Sequence, residues 1–175
     1  GTYSSSASTL VRPSAPNAPT SLSAGTPTTT TMPLSWVAGD NGGSAITDYT
    51  IQYSTDNNTW NTFADGTSTT ASTTVTGLTA NTLYYFRVAA VNTYGTGTYT
   101  SSINKPTLAA APTALTAGTP TTTTMPLSWT APSGTATSDY TIQYSLNNST
   151  WNTFADGTST TTSTTVTGLS SNTLY

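Results

Sequence analysis

Few side chains in this chain could do chemistry, and their types narrow the options at once. Among 175 residues there is no histidine, cysteine or glutamate, and the ionisable groups besides tyrosine are six aspartates and the cations Arg12, Arg87 and Lys105. A hydrolytic triad needs a base beside its nucleophile, and only aspartate, one lysine or a tyrosinate is on offer. A carboxylate pair for glycoside cleavage would have to be Asp with Asp, yet Asp65 and Asp156 each open an Asp-Gly turn dipeptide. Asp40-Asn41-Gly42-Gly43 looks like part of a calcium loop but lacks the further acidic ligands such a loop supplies, and reads as a flexible turn. No enzyme, cofactor or metal is expected. Without cysteine there is neither a disulfide nor a thiolate zinc site. A net charge of -3 with so little lysine argues against nucleic acid. No run approaches the roughly 18 apolar residues of a membrane span, so membrane insertion is not expected. Residues 1–10 have neither the basic nor the apolar region of a signal peptide, so any export signal is expected outside this sequence.

The elements that must position these groups are strands. In residues 77–92, GLTANTLYYFRVAAVN, Tyr84, Phe86, Val88 and Ala90 alternate with Tyr85, Arg87 and Ala89. That is the period of two of a strand with one buried face. Leu78 and Tyr84 bracket a short polar turn, as a tyrosine corner requires. There the ring packs inward and the phenol O–H bonds back to upstream backbone, a link worth about 1 kcal/mol net. With 83–92 as one strand, six more are expected at 20–24, 30–37, 46–54, 60–64, 72–76 and 97–103. Met32, Leu34, Trp36, Tyr49, Ile51, Tyr53, Val75 and Leu78 would then meet in one core. Pro33 and Pro126 fit poorly inside the second strand, where a central strand should not lose a donor. Pairing there is expected to start at Leu34 or to include a bulge.

The pattern occurs twice. Pro19 matches Pro112 and Trp36 matches Trp129 at a spacing of 93, while Ile51 matches Ile142, Trp60 matches Trp151 and Val75 matches Val166 at 91. The two-residue difference falls in the loop between the second and third strands, where length varies freely. Residues 1–6, GTYSSS, resemble 97–102, GTYTSS, and Tyr175 matches Tyr84. The organisation expected is the last strand of a preceding repeat plus linker (1–12), a complete domain (13–107), and a domain truncated before its last two strands (108–175). The linkers VRPSAPNAP and NKPTLAAAP carry proline and should be stiff. The truncated copy would expose an apolar edge strand. A continuing polypeptide is favoured over completion by strand addition from a neighbouring subunit.

These features together resemble a fibronectin type III domain. The family's core Trp on the second strand matches Trp36 in LSW, its third-strand aromatics match Tyr49 and Tyr53 in DYTIQYS, and its corner Tyr matches Tyr84 after the Gly-Leu pair 77–78. The second copy repeats the set as Trp129, Tyr140 and Tyr144. The resemblance implies an all-β fold, a seven-stranded immunoglobulin-like antiparallel sandwich without a disulfide. It implies little about function, because the fold serves spacers and binding modules alike.

The candidate contact residues are aromatic. Trp60, Phe63, Trp151 and Phe154 could stack on sugars, including cell-surface glycans, but recurrence in both copies favours packing over the sandwich edge. Tyr94 and Tyr99 flank a glycine loop and are expected to be exposed; the loop reads NTYGTGTY and lacks Arg-Gly-Asp. Asn57, Asn147 and Asn148 each begin an N-x-Ser/Thr sequence at a hairpin tip, where asparagine also suits a positive φ. The function expected is a structural stalk or adhesive fibre segment of a long extracellular, cell-surface or virion-surface protein. Its composition is of bacterial secreted or phage structural style, and its partners would be neighbouring repeats or subunits of the same protein. The alternative is a linker or carbohydrate-binding array of a secreted polysaccharide-degrading enzyme.

Overall fold

The computed structural model describes residues 12–133 and 137–175, and all regular structure among them is strand. The chain divides into two compact units between Thr107 and Leu108. In the first, β1 (Thr20–Ala24), β2 (Met32–Val37) and β5 (Ser72–Val75) form one sheet in the order β1-β2-β5. The facing sheet runs β4-β3-β6-β7, from β3 (Asp48–Ser54), β4 (Asn61–Thr62), β6 (Leu83–Asn92) and β7 (Gly95–Thr96), with β8 (Ile103–Pro106) also on β6. All pairings are antiparallel, so the unit is the expected immunoglobulin-like sandwich.

Register decides what is buried. Tyr49 lies opposite Ala90, Ile51 opposite Val88 and Tyr53 opposite Phe86, so inward residues of β3 and β6 coincide. They meet Met32, Leu34, Trp36 and Val75 from the other sheet in a single core.

Two expectations about strands are corrected. Against β1 the ladder does begin at Leu34 and carries a register shift between Thr20 and Ser23, but against β5 pairing does not wait for Leu34: β2 runs from Met32, with Pro33 opposite Thr74. The Pro33 carbonyl accepts from Gly25 N–H at 2.9 Å, so its nitrogen also faces β1, beyond the last pair Ala24↔Leu34. The missing donor therefore falls where the ladder has already ended. Pro126 repeats this with Gly118 at 2.9 Å. The seventh strand is not continuous over 97–103 but splits into β7 and β8. Between them Thr100 N–H donates to Val88 O at 2.9 Å, while Val88 N–H donates to the Thr100 hydroxyl at 3.2 Å. A side-chain oxygen has replaced the carbonyl that a regular ladder would use.

The segments read as linkers and as a flexible turn also differ. Residues 104–106 belong to β8, Lys105 Nζ donates to Ala24 O at 3.2 Å, and buried Thr107 donates its hydroxyl to Thr79 O at 2.6 Å. Loop 40–43 is not free: Ser14 N–H donates to Gly42 O at 2.8 Å and Asn17 N–H to Asp40 O at 2.9 Å.

The second unit contains β9 (Thr113–Ala117), β10 (Met125–Thr130) and β13 (Ser163–Val166) in one sheet, and β11 (Gln143–Tyr144) with β12 (Asn152–Thr153) in another. Without a counterpart of β6 among the described residues, β11 keeps two residues where β3 has seven. Tyr140, Ile142 and Val166 are buried, whereas Leu115, Leu146 and Trp151 are exposed. An open trough of about 450 Å³ lies along Leu127, Tyr144, Trp151 and Tyr175.

Candidate functional site

The corner residue is built by the turn before β6. Leu78 N–H donates to Thr30 O at 3.0 Å, fixing the chain against the other sheet, and Asn81 turns it with φ 49°. Tyr84 then reaches back. Its phenol oxygen accepts from Thr79 N–H at 3.0 Å, so the bond to upstream backbone has the phenol as acceptor and not as donor. The ring meets Tyr53 edge-on at 6.0 Å and Phe86 at 6.2 Å. In the second unit Tyr175 accepts from Ser170 N–H at 2.8 Å and meets Tyr144 at 5.8 Å.

Trp36 packs edge-on against Tyr49 with ring centres 5.1 Å apart, and Trp129 does the same with Tyr140 at 5.1 Å. Trp36, Tyr49, Leu78 and Tyr84 are buried, Tyr53 half-buried. Tyr140 is buried too, while Trp129 and Tyr144 are half-buried under the thinner second unit.

The outer face of the larger sheet carries a cluster of aromatic and polar side chains around Arg87. Arg87 projects from β6 with its guanidinium carbon 4.1 Å from the centre of the Trp60 ring and 4.4 Å from that of Tyr99. Its Nε and one terminal nitrogen both donate to Gln52 Oε1, at 2.9 and 2.7 Å, and Gln52 Nε2 donates to the Thr62 hydroxyl at 3.2 Å. Three strands thereby converge on a cation held between two aromatic faces, an attraction of about 0.5–1 kcal/mol per ring at exposed sites. Trp60 and Tyr99 are half-buried, so the expected exposure of Tyr99 is corrected; Tyr94 is 58% exposed. One Trp60 face is taken by the chain's own arginine. Trp151, the matching residue of the second unit, is 51% exposed.

At the β3–β4 tip, Asp56 Oδ1 accepts from the backbone N–H of Thr59 at 2.7 Å and of Asn58 at 2.8 Å, and from the hydroxyl of buried Ser54 at 2.7 Å. These donors, led by the Thr59 and Asn58 amides, hold its carboxyl well below the usual carboxylate range. Asn147 accepts in the same way from Ser149 and Thr150. Asn57 and Asn148 sit beside them at φ 58° and 54°. No group of three or more Asp, Glu, His or Cys residues among the described residues could hold a metal ion.

Sequence reasoning did not assign roles to Arg87, Gln52, Asn92 or Asp56. A single arginine on a central, otherwise apolar strand was the available signal for the first. Gln52 and Asn92 depend on partners too remote to read, whereas Asp56 bonds within its own turn, to Ser54, Asn58 and Thr59, and the run Ser54 to Thr59 was the available signal.

Two stacked antiparallel sheets, a buried tryptophan and a tyrosine latch define a repeated immunoglobulin-like module. The chain belongs to the fibronectin type III family: the model of the fibronectin type III domain matches residues 17–105 and again 110–175. Exoglucanase A of Cellulomonas fimi is 40% identical over 127 residues, covering 67% of this chain and 14% of that protein. The human cell adhesion molecule DSCAM is 38% identical over 86 residues, covering 49% of this chain and 4% of that protein. The chain thus spans a small part of either relative. Among solved structures, chicken CNTN1 FN1-FN3 domains superpose with a TM-score of 0.54 at 22% identity, covering 87% of this chain and 56% of that one, a likeness of fold alone. Titin domains A168-A170 give 0.50 at 25% identity, over 54% and 32%.

Proposed function

We propose that this chain is a non-catalytic spacer of tandem fibronectin type III repeats within a longer extracellular or surface protein, serving as a stalk or adhesive fibre segment. The observation that supports it best is the Arg87 stack. The aromatic residue most suited to sugar binding in the complete repeat, Trp60, has one face closed by an internal cation that is itself bonded to Gln52. Its polar groups satisfy one another instead of facing outward for a ligand.

A second reading is favoured by the likeness to Exoglucanase A: the repeats would be accessory modules of a secreted polysaccharide-degrading enzyme. Sedimentation of the full chain with insoluble cellulose and with soluble glycans bearing a pull-down tag separates a plain spacer from a sugar-binding array. The spacer stays in the supernatant in every case. Retention that Trp60→Ala abolishes would replace the spacer by the sugar-binding array.

A further inference from the structure

Residues 13–17 do not leave the first unit as a linker would. They run along the pole made by loop 40–43 and the turn after β7. Ser14 N–H bonds to Gly42 O and Asn17 N–H to Asp40 O. From the other side buried Asn92 donates its side-chain amide to Ser14 O at 2.7 Å and Asn41 O at 2.8 Å, tying segment and loop together. Asn92 Oδ1 in turn accepts from Tyr94 N–H at 2.8 Å, which fixes its amide.

The glycines beneath the segment are there for clearance. A β-carbon on Gly97 would overlap the Pro16 carbonyl oxygen, and one on Gly42 the Ser14 oxygen. One on Gly39 would come within 2.8 Å of the Asn17 carbonyl oxygen and closer still to that of Ala18. At Gly97 and Gly39 φ lies outside the left-handed region, so close approach and not backbone conformation requires glycine.

We propose that residues 13–17 are a strap fastened into the first repeat by Asn92, loop 40–42 and Gly97, so that the chain enters this repeat through a fixed joint. Among the described residues, 108–112 make no backbone hydrogen bond of this kind. At the spacing of 93, Gly39 becomes Pro132 and Asn17 and Ala18 become Ala110 and Ala111. Leu108 is 52% exposed, and Ala111 and Pro112 are exposed as well. The segments entering the two repeats thus differ in sequence and in exposure. The inference deepens the spacer reading, because the stiffness of a spacer is set at its joints.

Amide exchange on the full chain, followed by NMR, tests it. Ser14 and Asn17 should exchange at least about tenfold more slowly than Ala110 and Ala111, because a fastened segment must open before exchange. Gly97→Ala should speed both by about tenfold while Ile51 and Val88 stay protected. Should that variant disturb β6 as well, Ser14→Pro deletes a strap donor without touching the sandwich, and Asn17 should be released in the same way. Equal exchange at the two joints of the parent chain overturns the proposal. So does protection at Asn17 that survives both changes. These amides report nothing about sugar binding, so the strap and the spacer reading fail independently.

Discussion

Tyr84 accepts from one backbone N–H, and Asp56 from two, that a tight turn would otherwise leave to water. Tyr84→Phe keeps the buried ring and deletes only the acceptor for Thr79 N–H, so it should lower the unfolding free energy by about 1 kcal/mol, read from urea denaturation with an unchanged m value. Asp56 makes a prediction in pH. Its folded carboxyl titrates below its unfolded value, so its contribution is complete above the unfolded value of about 3.9 and is lost as pH falls through the lowered folded value. The amide shifts of Asn58 and Thr59 should accordingly titrate well below that range. Asp56→Asn should abolish the titration and keep the turn, because Asn147 already builds the same turn without a charge. A collapsed turn in Asp56→Asn would show that the charge is needed.

At the scale of elements, β6 was legible because Tyr84, Phe86, Val88 and Ala90 recur at every second position, and β1 because its short run is bounded by Pro19 and Gly25. The end of the sandwich was not. Whether residues 97–102 form a ladder depends on whether Thr100 offers Val88 its carbonyl or its hydroxyl, and composition is silent on that. The DNGG loop read as a free turn because the chain it holds lies far upstream, Ser14 for Gly42 and Asn17 for Asp40. Arg87 could be read as outward-facing, but its two aromatic partners come from outside β6. Arg87→Ala should cost about 1–2 kcal/mol for two cation–π contacts and their hydrogen bonds. It should also leave Trp60 as open to acrylamide quenching as Trp151 already is. Unchanged quenching would mean that the guanidinium does not shield the indole.

Over the whole molecule, one fold was legible twice, whereas the depth of each core was not, since it depends on which strands are present to cover it. Among the described residues the first core has eleven buried members and the second three, so the units should unfold separately, the second first. Trp36→Ala should lower the upper transition by about 3–5 kcal/mol, while Trp129→Ala should shift the lower transition by less, because its indole is already half in solvent. A single cooperative transition in calorimetry would contradict this separation.

The lone lysine of the chain, Lys105, ends on the Ala24 carbonyl and so spans β8 and β1. Acylating that amine removes its charge and adds bulk at the seam between the two sheets. Uptake of an amine-reactive dye at Lys105, followed by peptide mapping and accelerated when the seam parts, would therefore turn ordinary labelling into a gauge of how often the edge opens.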